Sequence, residues 1–210
     1  MVTIRSFTLL ALAFASSSLA ATVTFDCTKV PNICANDFYA INCVGKPTQL
    51  NRDSDDATAH RAANACRSPN RCSGNDDSSN SCDEYPYASS QQGGKGAVTR
   101  CVPAHENSVQ GGVISSFYSR NSVENGDAYN VAFSNTNGIQ YTNSCSNTGN
   151  EVIRRSGSAP FYTPRRFITS EGHELLMFES REEPGSLDGV IGQDTYLAHE
   201  DRFVKIVRAL

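Results

Sequence analysis

Alternating apolar and polar positions in the second half of the chain predict a series of short strands. The segments with this pattern are residues 129–134, 138–142, 166–169 and 174–179. The final segment, RFVKIVRAL from Arg202, fits either a strand or a short helix. This half of the chain therefore predicts mostly β-structure.

Between residues 55 and 120 the pattern alternates between predicted helices, loops and strands. The predicted order is helix 55–66, loop 67–81, strand 82–88, loop 89–96, strand 97–103 and a second helix. We expect Asn107 or Ser108 to cap the second helix, which then runs to about Arg120. Helices and strands that are mixed in this way indicate an α+β fold.

The N-terminus has the composition of a secretory signal. Arg5 supplies a positive charge, residues 7–15 are apolar, and Ser18 and Ala20 are small residues that suit a cleavage site. We predict that residues 1–20 are removed, that residues 21–210 form a single domain, and that the protein is secreted. A membrane anchor is the alternative interpretation of this segment; after its removal no membrane association is expected.

The cysteine content agrees with an extracellular protein. All eight cysteines follow the predicted cleavage site, and an even number in a secreted chain predicts up to four disulfides. No C-x-x-C pair is present, so a thiolate zinc site is not expected. The residues are Cys27, Cys34, Cys43, Cys66, Cys72, Cys82, Cys101 and Cys145. The spacing alone does not assign their pairing.

The overall charge argues against a strongly basic nucleic-acid binder, because 18 Lys and Arg residues face 22 Asp and Glu residues. The charge is nevertheless unevenly distributed. Residues 95–166 contain seven basic and four acidic residues, whereas residues 171–201 contain nine acidic residues and one arginine. This segregation predicts a local basic face, with Lys95, Arg100 and Arg120 as candidate substrate contacts.

Two pairs of polar residues carry the candidate chemistry. Asp83 and Glu84 lie on a predicted strand, and Glu106 and Asn107 lie where the second helix begins. A strand–loop–strand–helix order can bring the two pairs together. Carboxylate and amide oxygens are ligands for Mg²⁺ or Mn²⁺, and such an ion neutralises charge on a phosphate. The pattern therefore predicts phosphodiester hydrolysis.

Two stretches of this region resemble a known enzyme family. CDEYPYASSQQGG (82–94) and PAHENSVQGG (103–112) resemble the secreted deoxyribonucleases of the NucA/NucB type, and the resemblance is best over residues 66–120. It implies a small, disulfide-stapled domain with a ββα-metal (His-Me finger-like) core. It also implies an endonuclease that hydrolyses DNA with little sequence specificity, uses Mg²⁺ or Mn²⁺ and acts as a monomer.

The resemblance also implies roles for individual residues. Asp83 corresponds to the general base and Asn107 to a metal ligand, with Glu84 and Glu106 as supporting ligands or electrostatic partners. Gln110 is expected to contact phosphate. His105 adjoins the second stretch and is not expected to be the base.

Two other functions remain open from the sequence. Glu84, Arg100, His105 and Glu106 are the residue types that a metal-independent ribonuclease would use. A cysteine-rich secreted binding protein without enzymatic activity is the third interpretation. The nuclease interpretation requires Asp83 and Asn107 to lie close together in the fold, because metal–ligand distances are short.

Overall fold

The computed structural model of the protein describes residues 20–146 and 161–210. The strands are β1 (Ala21–Asp26), β2 (Gln49–Asn51), β3 (Ser81–Tyr85), β4 (Val98–Val102), β5 (Ala128–Ser134), β6 (Tyr162–Thr169), β7 (Glu174–Ser180), β8 (Asp194–Leu197) and β9 (Arg202–Ala209). The helices are α1 (Pro31–Phe38), α2 (Ala57–Ala63) and α3 (Ala104–Arg120). Residues 1–19 of the predicted signal lie outside the described residues, as do Arg154 and Arg155.

Seven strands form one large sheet in the order β1-β8-β9-β6-β7-β5-β2. Strand β1 pairs in parallel with both β8 and β5, so the sheet closes on itself. The alternation in β1 explains its central place: Val23 and Phe25 join the larger apolar core, while Thr24 bonds to Thr195 through their hydroxyls at 2.6 Å. Both faces of this strand are therefore buried.

The larger core lies between this sheet and α1. Phe38 of α1 packs against Phe133 and Phe178, with ring centroids 4.7 and 5.2 Å apart. Helix α1 continues as a π-helical segment, Tyr39–Cys43, which is also buried. A second apolar cluster, which includes Phe167 and Ile206, occupies the other face of the sheet.

Strands β3 and β4 form a separate antiparallel hairpin that leads directly into α3. Asp83 lies opposite Arg100 in this ladder, and Cys82 lies opposite Cys101. The mixed α+β prediction is confirmed. The β-β-α order of this part is compatible with the predicted metal-binding core, which remains a proposal, and the large closed sheet is an addition that the sequence did not predict.

All eight cysteines are paired, which confirms the prediction of four disulfides. The pairs are Cys27–Cys34, Cys43–Cys145, Cys66–Cys82 and Cys72–Cys101. The last two join the loop before β3 to both strands of the hairpin. Because Cys82 and Cys101 lie opposite each other, both crosslinks hold the rung next to the Asp83–Arg100 pair to a segment rich in turn-forming residues.

Two local predictions were wrong. Helix α3 begins at Ala104, with Pro103 as the capping residue, so Asn107 lies within the first turns of the helix and does not cap it. Residues 138–142 form turns where a strand was predicted, and Gly138 and Tyr141 there have positive φ angles, which an extended strand does not allow. Within the described ranges, no helix has the length and apolar character needed to span a membrane.

Candidate functional site

A cleft of about 630 Å³ opens between α3, β3 and α2. Helix α3 forms one wall with Asn107, Gly111, Ser115 and Ser119, which are four residues apart and therefore lie on one face of the helix. Strand β3 contributes residues 81–84, and Arg61 of α2 lies at the opposite side. The cleft thus brings together both predicted motifs.

Asp83 is the most deeply buried acid of the cleft, with 1% of its surface exposed. Its Oδ2 accepts a hydrogen bond of 2.8 Å from Asn36 Nδ2. Burial, together with the charge of Glu84, raises the pKa of Asp83 to about 7, although the amides of Asn36 and Gln110 partly oppose this rise. Gln110 lies beside the carboxylate without reaching good hydrogen-bond geometry, and Asp83 Oδ1 has no hydrogen-bond partner among the described residues.

A second buried carboxyl group, Asp37, lies behind Asp83. Asp37 is fully buried on α1 and accepts a hydrogen bond of 2.9 Å from the Tyr87 hydroxyl. Burial and the neighbouring charge of Asp83 raise the pKa of Asp37 well above its ordinary value. Sequence reasoning missed Asp37 because it lies on a distant helix, outside any motif that we recognised.

Glu84 lines the cleft next to Asp83 and is almost buried. Burial raises the pKa of Glu84, whereas the nearby Arg61 charge works in the opposite direction. Arg61 Nε lies 3.5 Å from Glu84 Oε1, and 58% of the Arg61 side chain is exposed. Arg61 therefore provides a positive charge at the cleft surface.

Arg52 is the second cation of the cleft. It donates hydrogen bonds to Ser54 Oγ, at 3.0 Å, and to the Val123 carbonyl. Its guanidinium also lies 4.8 Å from the centroid of the Tyr118 ring. The sequence did not indicate Arg52 or Arg61, because both precede the segment that was predicted to be basic.

Asn107 is held against β3 by its amide nitrogen. Nδ2 donates to Ser81 Oγ at 2.8 Å and to the Cys82 carbonyl at 3.0 Å. Both of its hydrogens are used, so the amide oxygen is the atom left to accept or coordinate. Asn107 contacts Cys82, the residue that precedes Asp83, and both Asn107 and Asp83 line the cleft.

The donor atoms of this cleft suit a hard divalent cation. Asp83, Glu84 and Asn107 offer only oxygen, which is the ligand type that Mg²⁺ and Mn²⁺ prefer. The raised pKa values of both acids show that nearby positive charge does not fully compensate the carboxylates. A bound cation would supply that compensation.

Glu106, which was expected to be a supporting metal ligand or electrostatic partner, instead caps the start of α1. Its Oε2 accepts hydrogen bonds from the backbone N–H groups of Asn32, at 2.8 Å, and Ile33, at 3.3 Å. Its Oε1 accepts a bond of 2.7 Å from Asn32 Nδ2. Glu106 thus satisfies the free N–H groups at the start of α1 and does not line the cleft, so we do not carry it forward as a metal ligand.

The three predicted cationic contacts also lie outside the cleft. Arg100 is buried and donates to Gln140 Oε1 at 3.1 Å, Lys95 is exposed on the β3–β4 loop, and Arg120 pairs with Asp201. Gln110, by contrast, lies in the cleft as expected.

Acids of the C-terminal segment pair with several arginines of the expected basic face, and Arg154 and Arg155 of that face lie outside the described residues. Arg165 pairs with Glu179 and Asp188, and Arg166 pairs with Glu174.

The residue set of the alternative ribonuclease does not converge. Glu84 lines the cleft, but His105 is exposed outside it, Glu106 caps α1 and Arg100 is buried at another position. The described structure therefore offers no joint site for these four groups.

Comparison with known proteins identifies one family. Residues 37–132 match the family model for Deoxyribonuclease NucA/NucB. This segment includes every residue that lines the cleft and also contains Asp37. Among curated proteins, no match to the chain is found. The segment that forms the cleft, residues 37–132, belongs to the NucA/NucB family of deoxyribonucleases.

Proposed function

We propose that this protein is a secreted endodeoxyribonuclease that depends on a divalent metal ion and cleaves DNA with little sequence specificity. The observation that carries the proposal is the buried Asp83 carboxyl, whose pKa of about 7 and free Oδ1 lie in the same cleft as Asn107. The family match supports a deoxyribonuclease. The metal dependence, the roles of individual residues and secretion are parts of the proposal that go beyond the family match.

Asp83 acts as the general base. A carboxyl group with a pKa near 7 exchanges protons effectively at neutral pH. In the reaction, a water molecule gives a proton to Asp83 Oδ1 while its oxygen bonds to phosphorus, and the bond to the leaving oxygen breaks. The leaving oxygen takes a proton from solvent. Asp37 remains protonated behind the base and so adds no further negative charge.

Asn107 Oδ1 and Glu84 are the groups that would hold Mg²⁺ or Mn²⁺. When bound, such an ion neutralises negative charge on the phosphate. Arg61 and Arg52 contribute fixed positive charge at the cleft, and Gln110 offers an amide next to the base. Contacts of this kind bind phosphates and carry no sequence information, which supports low sequence specificity.

Secretion is supported by two independent features. The first 20 residues have the composition of a signal, and β1 begins at Ala21, directly after the predicted cleavage site. Four disulfides are typical of proteins that fold in an oxidising compartment.

The test is cleavage of plasmid DNA by the purified protein with Mn²⁺ or Mg²⁺, with and without EDTA. We expect EDTA to abolish cleavage. We also expect Asp83→Asn and Asn107→Ala each to lower kcat by at least about a hundredfold, the size of a lost general base or charge-stabilising group.

Ser108→Ala is the matched control, because Ser108 is exposed on the outer side of α3 next to Asn107. It should keep wild-type cleavage. Near-normal turnover by folded Asp83→Asn would overturn the assignment of the base, and full cleavage in EDTA would overturn the metal dependence.

A further inference from the structure

Two turns at the end of the large sheet bring together a second group of titratable side chains. The β6–β7 turn contributes Glu171 and His173, and the β8–β9 turn contributes His199 and Glu200. We call these four residues the hairpin cluster. None of them lines the DNA-cleaving cleft, and the nuclease chemistry leaves them unused.

The cluster is organised around one carboxylate oxygen. Glu200 Oε1 lies 3.3 Å from His173 Nε2 and 3.0 Å from His199 Nε2. The two imidazole rings stand nearly perpendicular, with their centroids 6.1 Å apart. A tetrahedral Zn²⁺ ion with bonds of about 2.1 Å holds its ligand atoms about 3.4 Å from one another. The contact between Glu200 Oε1 and His173 Nε2 therefore already has a spacing close to that of a pair of zinc ligands.

Glu171 supplies a third donor. Single ligand atoms of Glu171, His173 and Glu200 all lie within 4.8 Å of one another. These residues offer one imidazole and two carboxylates from two turns, which is a donor set that zinc accepts. It differs from the all-oxygen cleft, where a harder cation is expected.

Arg202 holds the two carboxylates in place without occupying the donor side of Glu200. Its guanidinium contacts Glu200 through Oε2 and also contacts Glu171. The Oε1 atom that faces both histidines is thereby kept free of the arginine. Residues that hydrogen-bond to ligands from behind in this way orient them and raise metal affinity.

Asp26 adds a third carboxylate beside the cluster. Its Oδ2 lies 4.0 Å from His199 Nδ1, on the ring nitrogen opposite the one that faces Glu200. When both histidines are neutral, the carboxylates of Asp26, Glu171 and Glu200 and the guanidinium of Arg202 sum to a charge of about −2. A divalent cation balances that charge.

We propose that the hairpin cluster binds one Zn²⁺ ion, with Glu171, His173 and Glu200 as its protein ligands. The ion links the β6–β7 turn to the β8–β9 turn at the end of β1. It is a stabilising site, separate from the catalytic cleft, and it does not depend on the proposed nuclease function.

The test uses the full secreted chain, stripped of metal with chelator and titrated with ZnCl₂ by isothermal calorimetry. We expect one site per chain and a rise in the unfolding temperature when Zn²⁺ is added. His173→Ala should weaken zinc binding by at least about tenfold, and His199→Ala by less, because His199 contacts the ligand Glu200 and is not itself in the ligand group. Their unfolding temperatures in EDTA show whether they still fold.

Two controls locate the ion. His105→Ala removes an exposed histidine on α3 and should leave zinc binding unchanged. Asn107→Ala alters the cleft and should also leave the site intact. Absence of a site with zinc alone, or equal affinity in wild type and both folded cluster variants, would overturn the proposal. Loss of zinc from Asn107→Ala with retention in the histidine variants would place the ion in the cleft and overturn it equally.

Discussion

The cleft and the β6–β7 face of the large sheet both contain carboxylates shielded from solvent, but they compensate these charges differently. On the sheet, Glu179 Oε1 accepts a bond of 2.9 Å from Arg165 and also bonds to the backbone of Gly185 and Leu187. In the cleft, Asp83 is bonded by the neutral amide of Asn36, and one of its oxygens has no hydrogen-bond partner among the described residues.

The comparison distinguishes the paired carboxylate of the sheet, which stabilises the fold, from the incompletely paired carboxylate of the cleft, which is available for catalysis. Burying a carboxylate without a cation is unfavourable and raises its pKa, as happens at Asp83 and Asp37. At Glu84 the effect of burial exceeds that of the nearby Arg61 charge. Such groups concentrate at functional sites. The incompletely compensated carboxylates of the cleft therefore lower the stability of the fold, whereas the paired carboxylate of the sheet does not. Each variant below tests one of these two regions.

The largest effect in this series is expected on the cleft wall at Gly111. A Cβ at Gly111 or at Gly112 would meet no atom within 4 Å, so both positions have room for a side chain. Only Gly111 lines the cleft. We expect Gly111→Leu to obstruct DNA and lower kcat/KM by about thirtyfold, since displacement of a substrate by about 1 Å is already costly.

Gly112→Leu is the matched control for this prediction. Each substitution removes a helical glycine and should favour α3 by up to about 1 kcal/mol. Cleavage of plasmid DNA by Gly112→Leu should stay near wild type. Equal losses in both variants would mean that α3 itself is disturbed and that the cleft face has no special role.

A smaller effect is expected from the exposed cation of the cleft. Arg61→Ala should raise KM for DNA by about tenfold, as expected for loss of one charge-assisted contact. Arg120→Ala is the control, because Arg120 is also an exposed arginine but pairs with Asp201 outside the cleft. An equal rise in KM for both variants would show general electrostatic attraction and no local phosphate contact.

The sequence predicted the part of the site that is local along the chain. Asp83 and Asn107 belong to one hairpin and the helix that follows it, and the contacts of Asn107 with Ser81 and Cys82 span fewer than 30 residues. The pairing of the cysteines as disulfides was predictable for a similar reason, because their number and the predicted compartment indicate it without knowledge of the fold.

The rest of the site depends on contacts between distant segments, which periodicity does not show. Asp37 lies close enough to Asp83 to interact with its charge because α1 packs against the hairpin. Glu106 does not line the cleft because it accepts hydrogen bonds at the start of α1. The charge pattern along the chain likewise did not show that Arg165 and Arg166 pair with acids from β7 and the loop that follows it. The closed sheet also depends on pairing between β1 and β5, far apart in sequence.

Asp83→Asn tests the stability cost of the cleft. The folded state raises the pKa of Asp83 from an ordinary value of 3.8 to about 7. The folded protein therefore binds a proton that the unfolded chain has lost, and this contribution to stability declines as pH rises through that interval. At pH 8 in EDTA we expect Asp83→Asn to be more stable than wild type by up to about 4 kcal/mol, with the gain disappearing near pH 4.

Denaturant unfolding with the disulfides intact measures this difference. Asp76→Asn is the control, because hydrogen bonds from Ser78 lower the pKa of this exposed acid. It should show no gain at pH 8. A variant of Asp83 that is less stable than wild type at pH 8 would contradict the view that the charge of Asp83 is uncompensated.

The smallest effect is expected on the sheet, at Arg165. This side chain reaches Glu179 and Asp188, and its guanidinium lies 5.6 Å from the Phe167 ring. Arg165→Met keeps an apolar stem but removes the charge, and Glu179 retains its bonds from Gly185 and Leu187. We therefore expect a loss of only about 1 kcal/mol in unfolding free energy, with cleavage of DNA unchanged.

Arg61→Ala should show the reverse, a loss of cleavage with little change in stability, because Arg61 is largely exposed. If Arg165→Met impaired cleavage as strongly as Arg61→Ala, the division between sheet charges that stabilise the fold and cleft charges that serve chemistry would not hold.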